Sequence, residues 1–596
     1  MNPHSMEILR VRVVLVCMIA VYCSLGAALW RIQVVNTSSY RTSLDSQSMR
    51  RVRLPAARGS IFDRHGLCLA GNRSSFCLAV YVEELRQPGR MSNTVNRVEE
   101  VLDSVESELG LPRQIARSDI LNHLQRRRPL PLLAWRDIDE RALARWAESD
   151  KVFPGVDVYV EPERRYPHGP LASHVLGYVG RMSPQGDFRF LYYLPEMEGR
   201  RGVEKALNSV LAGVPGGRVI RVDVSGYKYD EDIERKAQTG EDVFLTIDTR
   251  IQRLLEEQLA GKRGAGIVMD PRNGDVLALA SSPAFDAASL KKTPRFRDLV
   301  ADPGKPLFNR AVSGLYPPGS IFKLVVAAAS IENRLASGSQ HFTCPGHFEV
   351  GGLVFGCWRS RGHGPIGMVK AIEQSCNAYF CQLGLLCGHE RIYRMAEALG
   401  FGRPTGVGFD GERAGLLPDS GWNLRHLKVG WRAGDTCNIS IGQGALLVTP
   451  LQIAVYVSAI ANGGDVYRPR LVLPDPDDPA RGGEPVNRMR WSKETLRVVR
   501  SGMYQVVQSD TGTGKRARIE GVAMGGKTGS AEYGPKDDRK KHGWMMVFAP
   551  FKEPRYAAAI VIEDAQSGGL TTAPLIRELM AGIFGVKTAQ SPPGTG

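Results

Sequence analysis

Between Arg12 and Arg31 the chain runs for 18 residues without a charge, "VVLVCMIAVYCSLGAALW" (Val13–Trp30). A helix of that length just crosses a hydrocarbon core, and Trp30 suits the membrane interface. A chain that starts this way is either a globular protein hung from a membrane or one that loses the segment as a signal peptide. Gly26-Ala27-Ala28 offers the small residues of a cleavage site. The apolar stretch is longer than an ordinary signal core, which favours an uncleaved anchor over 13–30 with residues 1–12 in the cytoplasm. Large downstream domains translocate largely regardless of flanking charge. The bulk of the chain is therefore expected outside the cytoplasmic membrane of a bacterium.

What hangs from the anchor is too long, within 596 residues, for one ordinary domain. A hydrophobic share of 43% and a charged share of 23% fit a globular protein with a proper core. The formal net charge of +15 suits an anionic partner, but the arginines are spread out and no nucleic-acid motif accompanies them. "RGSIFDRHGLCLA" (58–70) reads as strand, turn, strand, and the spacing of apolar residues predicts helices between about 95 and 150. "GRRGVEKALNSVLAGVPGG" (199–217) reads as one capped helix. The polar stretch "SGYKYDEDIERKAQTGED" marks a boundary near 240, separating a first domain over 31–240 from a second over 241–586. In the second, "GAGIVMDPRNGDVLALASSP" is a hairpin with an Asn-Gly turn, and "GWMMVFAP" with "RYAAAIVIED" forms another. Strands at both ends with helices between them imply an α+β domain with a mixed or antiparallel sheet. The tail over 587–596 reads as disordered.

Three short motifs in the second domain carry candidate chemistry. Ser320 and Lys323, in "LYPPGSIFKLVVAAAS", share one face of a helix that follows a Pro-Pro-Gly turn. A lysine set among Ile321, Phe322, Leu324 and Val325 loses its charge more readily than one in water, and a neutral amine beside a serine can act as its base. The bland alternative is a cap serine with a snorkelling lysine. Ser375 and Asn377, in "AIEQSCNAYFCQLG", place a hydroxyl and an amide two residues apart. Lys527, Thr528, Gly529 and Ser530, in "MGGKTGSAEYG", supply a positive charge, two hydroxyls for a carboxylate and a glycine that admits substrate to the backbone. "GVAMGGKT" also fits a phosphate-binding loop, but "GSAEYGPKDD" is a poor helix and such a loop needs one.

In this order the motifs resemble the S-x-x-K, S-x-N and K-T-G elements of penicillin-binding proteins and serine β-lactamases. "YPPGSIFK", "SIGQGALLVTPLQIA", "ANGG" and "GGKTGSAE" are similar to the transpeptidase domain of class B penicillin-binding proteins. "RGSIFDRHG", "RRYPHGPLASHVLGYVG" and "GRRGVEKALNSVLAG" are similar to their non-catalytic pedestal domain. "CWRSRGHGPIGMVKAIEQSCNAYF" carries a closer similarity to the penicillin-binding protein 2 branch, the elongation enzymes of rod-type wall growth. Ser530 stands where the family usually has Thr. The resemblance implies a D,D-transpeptidase of cell-wall elongation that needs no cofactor for catalysis and is acylated by β-lactams. Ser320 would be its nucleophile and Lys323 the base, with Ser375, Asn377 and Lys527 assisting and Thr528, Gly529 and Ser530 binding substrate. It also implies peptidoglycan stem peptides as substrate, and as partners a SEDS-type membrane glycosyltransferase and other elongation-complex proteins. A serine β-lactamase or penicillin sensor would need a deacylating base, and no such glutamate is identified; a scaffold would not need all three motifs.

Cys344, Cys357, His363 and Cys376 place three thiols and an imidazole within about thirty residues, a donor set that suits structural Zn2+. The residues alone leave open a Cys344–Cys357 disulfide or plain buried thiols. The resemblance adds weight to zinc, since some members of that branch bind metal at these positions. Cys381, Cys387 and Cys437 read as core residues.

Overall fold

The structure is a computed structural model that describes residues 3–37, 48–182, 192–194, 196–291, 293–474, 483–535 and 539–587. The expected disordered tail lies, from residue 588 on, outside them. A helix over Pro3–Trp30 continues into a π-helical turn over Arg31–Val35. Its Met6–Val35 span is apolar and long enough to cross a membrane, and none of it is buried against the rest of the chain.

The first domain is built around the long strand Cys68–Val80, whose residues from Gly71 to Val80 pair antiparallel with Val156–Arg165. The helices Met91–Leu109, Arg117–Arg126 and Glu140–Glu148 bury Val95, Val98, Leu102, Val105, Ile120 and Leu124 in a core of their own. Ile61–Phe62 pairs with Cys68 and Ala70 around the His65-Gly66 turn, as expected. Residues 199–217 do not form one helix. They open on the end of a strand (Met197–Arg201), pass through two short helices (Gly202–Ala206 and Asn208–Leu211) and enter the strand Gly216–Val222. Gly199 explains the first break, because a Cβ there would lie 1.8 Å from the Glu204 carbonyl oxygen. The polar stretch near 230 is itself a strand, Lys228–Arg235, paired with Gly216–Val222. The chain then returns once more: Val243–Phe244, beyond the expected boundary, pairs in parallel with Ile61–Phe62.

The second domain has a five-stranded antiparallel sheet in the order Val276–Ser282, Gly264–Met269, Tyr556–Ile562, Lys540–Ala549, Gly525–Tyr533. Its inner strands are buried along almost their whole length, so they read as continuous apolar runs and not as alternating ones. Thr249–Leu259 and Ala573–Phe584 pack on each other over one face, and Pro450–Asn462 packs over the other. Beyond the edge strand Gly525–Tyr533 lies a helical region that includes Lys323–Glu332 and Asn377–Cys387. The phosphate-binding-loop alternative fails here, because the residues after Lys527 continue a strand where such a loop needs a helix.

Candidate active site

All three motifs meet where the helical region touches the edge strand. Ser320 sits in a single 3-10 turn, Gly319–Ile321, closed by the Phe322 N–H donating to the Gly319 carbonyl (3.0 Å), and the α-helix begins only at Lys323. Ser320 thus precedes the helix by one tight turn. Gly319 has φ 58° and donates its N–H to the Gly442 carbonyl at 2.9 Å. A Cβ on Gly319 would lie 2.7 Å from the Ser530 carbonyl oxygen, and one on Gly442 would lie 2.0 Å from the Gly319 oxygen. These two glycines let the Ser320 turn, the "IGQG" loop and the edge strand touch backbone to backbone.

Lys323 is fully buried. Its Nζ donates to the Ser375 carbonyl (2.7 Å), the Asn377 Oδ1 (2.7 Å) and the Ser375 Oγ (3.3 Å), and no hydrogen bond runs to Ser320. Burial pushes its pKa down to about 8, against a smaller upward pull from the thiols of Cys376 and Cys357. Lys527 is also fully buried. It donates to the same Ser375 Oγ at 2.9 Å and to the Thr528 carbonyl at 3.1 Å. Burial, then the charge of Lys323, holds it well below the ordinary lysine range. One hydroxyl therefore bridges two amines, neither of which bonds a carboxylate.

Ser375 reaches that position through an uncommon backbone. Its φ is 55°, a left-handed conformation that costs a non-glycine residue on the order of 1 kcal/mol. It lies between the helices Met368–Glu373 and Asn377–Cys387, where the Cys376 N–H donates to the Ala371 carbonyl (3.0 Å). The turn aims both the carbonyl and the hydroxyl of Ser375 at Lys323. Asn377 begins the next helix and donates through Nδ2 to the Gly356 carbonyl at 2.8 Å, which ties it to the hairpin His347–Val350/Leu353–Gly356.

On the edge strand, Thr528 donates to the Thr513 hydroxyl at 2.8 Å, and the Ser530 Oγ accepts from the Gly568 N–H at 3.1 Å. Gly529 has no substitute, since a Cβ there would lie 2.8 Å from the Pro318 carbonyl oxygen. Thr528, Gly529 and Ser530 share with Ser320, Ser375 and Asn377 the lining of a cleft of about 1250 Å³. Lys323 and Lys527 lie beneath it. Thr511 and Thr513, which the motif reading did not single out, also line the cleft. Glu373 holds both, through a Thr511 hydroxyl bond of 2.5 Å and a Thr513 N–H bond of 3.3 Å to its carbonyl. The repeated Thr-Gly of "DTGTG" was the available signal for them.

The candidate metal ligands come together too. One donor atom each from Cys344, Cys357, His363 and Cys376 lies within 4.8 Å of all the others. The His363 Nδ1 is 3.5 Å from the Cys344 Sγ and 3.6 Å from the Cys357 Sγ, and the Cys357 and Cys376 sulfurs are 4.0 Å apart. Zinc bonds of about 2.3 Å to sulfur and about 2.0 Å to nitrogen put tetrahedral edges near 3.5 and 3.8 Å, so this donor set fits such an ion. Cys344 and Cys357 are free thiols, as are Cys381, Cys387 and Cys437, which are buried as expected. The Cys376 thiol beside it holds the Cys357 thiol below its ordinary range.

Two family models match the chain: the penicillin-binding protein transpeptidase domain over residues 264–581 and the penicillin-binding protein dimerisation domain over 53–245. This chain is a class B penicillin-binding protein. Its family is that of the serine-type peptidoglycan D,D-transpeptidases. It is 31% identical to the peptidoglycan D,D-transpeptidase MrdA of Acinetobacter baumannii over 90% of this chain and 82% of that one. It is 29% identical to the Haemophilus influenzae MrdA over 93% of this chain and 88% of the relative. A solved complex between penicillin-binding protein 2 (PBP2) and MreC from Helicobacter pylori superposes with a TM-score of 0.76 at 28% identity, covering 90% of this chain and 99% of its counterpart. A chain from a peptidoglycan synthase complex that coordinates polymerization and crosslinking superposes with a TM-score of 0.71 at 29% identity, covering 98% of this chain and 99% of its counterpart. This penicillin-binding protein thus matches its relatives through pedestal and transpeptidase domains alike.

Proposed function

We propose that this transpeptidase cross-links stem peptides through an acyl-enzyme on Ser320 during cell-wall elongation. The observation that carries the reading is the convergence of Lys323 and Lys527 on one hydroxyl, Ser375, beneath a cleft lined by Ser320. In acylation the Ser320 Oγ forms a bond to the penultimate D-alanine carbonyl carbon, and the bond to the terminal D-alanine nitrogen breaks. Lys323 takes the serine proton as a neutral amine, which its depressed pKa favours. Ser375, bonded to both amines, returns a proton to the leaving nitrogen. Asn377 positions the peptide, and Thr528 and Ser530 receive its terminal carboxylate over the positive charge of Lys527. Backbone N–H groups of Ser320 and of the edge strand form the oxyanion hole. An amine of a neighbouring stem peptide then takes the acyl group. A β-lactam enters by the same first step.

We assign residues 13–30 to a single-pass anchor, 31–240 to the pedestal and 241–586 to the catalytic domain, which lies on the outer side of the cytoplasmic membrane. A partner glycosyltransferase of the SEDS type supplies the glycan strands, and elongation-complex proteins dock alongside. The MrdA relatives and the solved PBP2–MreC and synthase complexes support this. The Ser320→Ala variant should lose all labelling by a fluorescent penicillin; labelling that persists would end the assignment. Cys344, Cys357, His363 and Cys376 would hold a structural Zn2+ that fixes the loop bearing Ser375 and Asn377. Metal analysis of the purified protein should find one zinc per chain, and its absence together with the loss of two titratable thiols would replace zinc with a disulfide.

A further inference from the structure

The cleft is lined by more charge than the three motifs supply, and most of it is spent within the protein. Arg539 and Lys541 both reach Glu532, at 2.9 and 3.5 Å. Asp510 pairs with Arg518 at 3.1 Å, and Lys515 donates to the Asp510 carbonyl at 2.9 Å. Arg359 and Arg516 line the same cleft and are exposed, yet neither guanidinium makes a hydrogen bond, ion pair or ring contact among the described residues. They come from different parts of the fold. Arg359 follows the hairpin that Asn377 grips, and Arg516 sits in a 3-10 turn, Lys515–Ala517, just after the cleft threonines. Two unneutralised forks at the mouth of one cleft favour an anionic occupant, and a guanidinium matches a carboxylate with two parallel hydrogen bonds.

We propose that Arg359 and Arg516 are substrate-binding residues that read carboxylates carried by the stem peptides apart from the terminal one, so that the enzyme selects acidic over amidated peptides. This rests on the transpeptidase reading of the site. The carboxylate can belong to the donor peptide or stand beside the acceptor amine, and both sources share the same chemistry.

The test uses the full-length protein in detergent with two pairs of synthetic substrates. The donor pair are D-Ala-D-Ala peptides with a free side-chain carboxylate or its carboxamide. The acceptor pair are a D-amino acid and the matching amine without the carboxylate. In the wild type, kcat/KM for the acidic member should exceed that for the neutral one by about tenfold in at least one pair, and the preference should shrink as salt rises. Arg359→Gln and Arg516→Gln should each bring that ratio toward one through KM, and Arg359→Lys should restore part of it. A change in the donor ratio or the acceptor ratio says which peptide is read. Equal rates for both members of both pairs in the wild type, or variants that lower both members alike, would overturn the proposal. A wild type that turns over no peptide yet labels with penicillin would instead count against the transpeptidase reading. Thermal unfolding of each variant separates lost recognition from lost fold.

Discussion

Two pairs of buried cationic side chains, one in each domain, are treated in opposite ways. In the pedestal, Arg58 and Arg164 close on Glu204, which is fully buried between them. Arg58 gives Nε and Nη2 to one carboxylate oxygen (3.1 and 2.8 Å), and Arg164 gives Nε to the other (2.6 Å). Arg58 Nη1 also donates to the Met197 carbonyl, and Arg164 Nη1 to the Gly59 carbonyl. In the catalytic domain, Lys323 and Lys527 are buried as deeply and share only the hydroxyl of Ser375. A buried cation with a carboxylate stays a fixed charge and locks three segments together. A buried cation without one gives up its proton easily, which is useful only where a proton has to move. The first pair's charge goes to shape, the second pair's to chemistry.

The largest effect should come from removing an amine. Lys323→Met should lower the rate of acylation by penicillin by about 10²- to 10⁴-fold, the range for loss of a general base, as stopped-flow quenching would report. In the wild type the same rate should rise with pH and level off above about 8, where burial places the Lys323 pKa. Stability carries the same signature. The unfolded chain holds this proton up to the ordinary 10.5 and the folded one only to about 8. The unfolded state therefore binds more protons in that window, so stability should rise with pH from about 8 to about 10.5, by up to about 3 kcal/mol. The methionine variant should lose that part of the rise and keep what the depressed Lys527 contributes; a rise of unchanged size would mean that Lys323 is not the group that titrates.

Next comes the compensated pair. Glu204→Gln leaves two guanidinium groups buried opposite a neutral amide, and the cost should be about 3–5 kcal/mol in urea or thermal unfolding. Adding Arg58→Met and Arg164→Met to a Glu204→Leu chain should recover much of it, because an apolar core has no charge to strand. The protein that remains folded should acylate at close to the wild-type rate. A slow acylation in folded Glu204→Gln would break the contrast, since the pedestal charge would then be acting on chemistry.

The two sites were not equally legible in the sequence. Ser320, Lys323, Ser375, Asn377 and Lys527 could be picked out because their chemistry is written in fixed short spacings. That Lys323 bonds Ser375 and Asn377 in place of Ser320 could not, since it depends on the left-handed turn at Ser375. The Arg58–Arg164–Glu204 cluster was hidden although each member lies in a quoted motif, because tertiary packing brings a loop (58), a strand (164) and a short helix (204) together from distant parts of the sequence. Both hairpins of the catalytic sheet were readable from turn residues and apolar runs. The helix expected over 199–217 was not, because its break comes from a close backbone contact between Gly199 and Glu204. Nor was the return of Val243–Phe244, just past the expected boundary near 240, to a strand laid down near residue 61.

The smallest effect sharpens the comparison most finely, because it lies one residue along. Lys205, next to Glu204, reaches across to the catalytic domain and meets Asp410 at 2.5 Å, with Arg201 at 3.9 Å from the same carboxylate. Lys205 and Asp410 are 45% and 49% exposed. Lys205 holds the Asp410 carboxyl below its ordinary range, but water and salt screen a pair of this kind, and exposed pairs contribute about 0–1 kcal/mol. Asp410→Asn should therefore shift unfolding by less than about 0.5 kcal/mol, and what shift there is should vanish near 1 M salt, where the screening length is about 3 Å. Ion pairs made by adjacent residues of one helix, Glu204 and Lys205, would then differ several-fold in what their loss does, with burial as the cause. A loss from Asp410→Asn as large as that from Glu204→Gln would instead mean that this contact sets how the pedestal holds the catalytic domain.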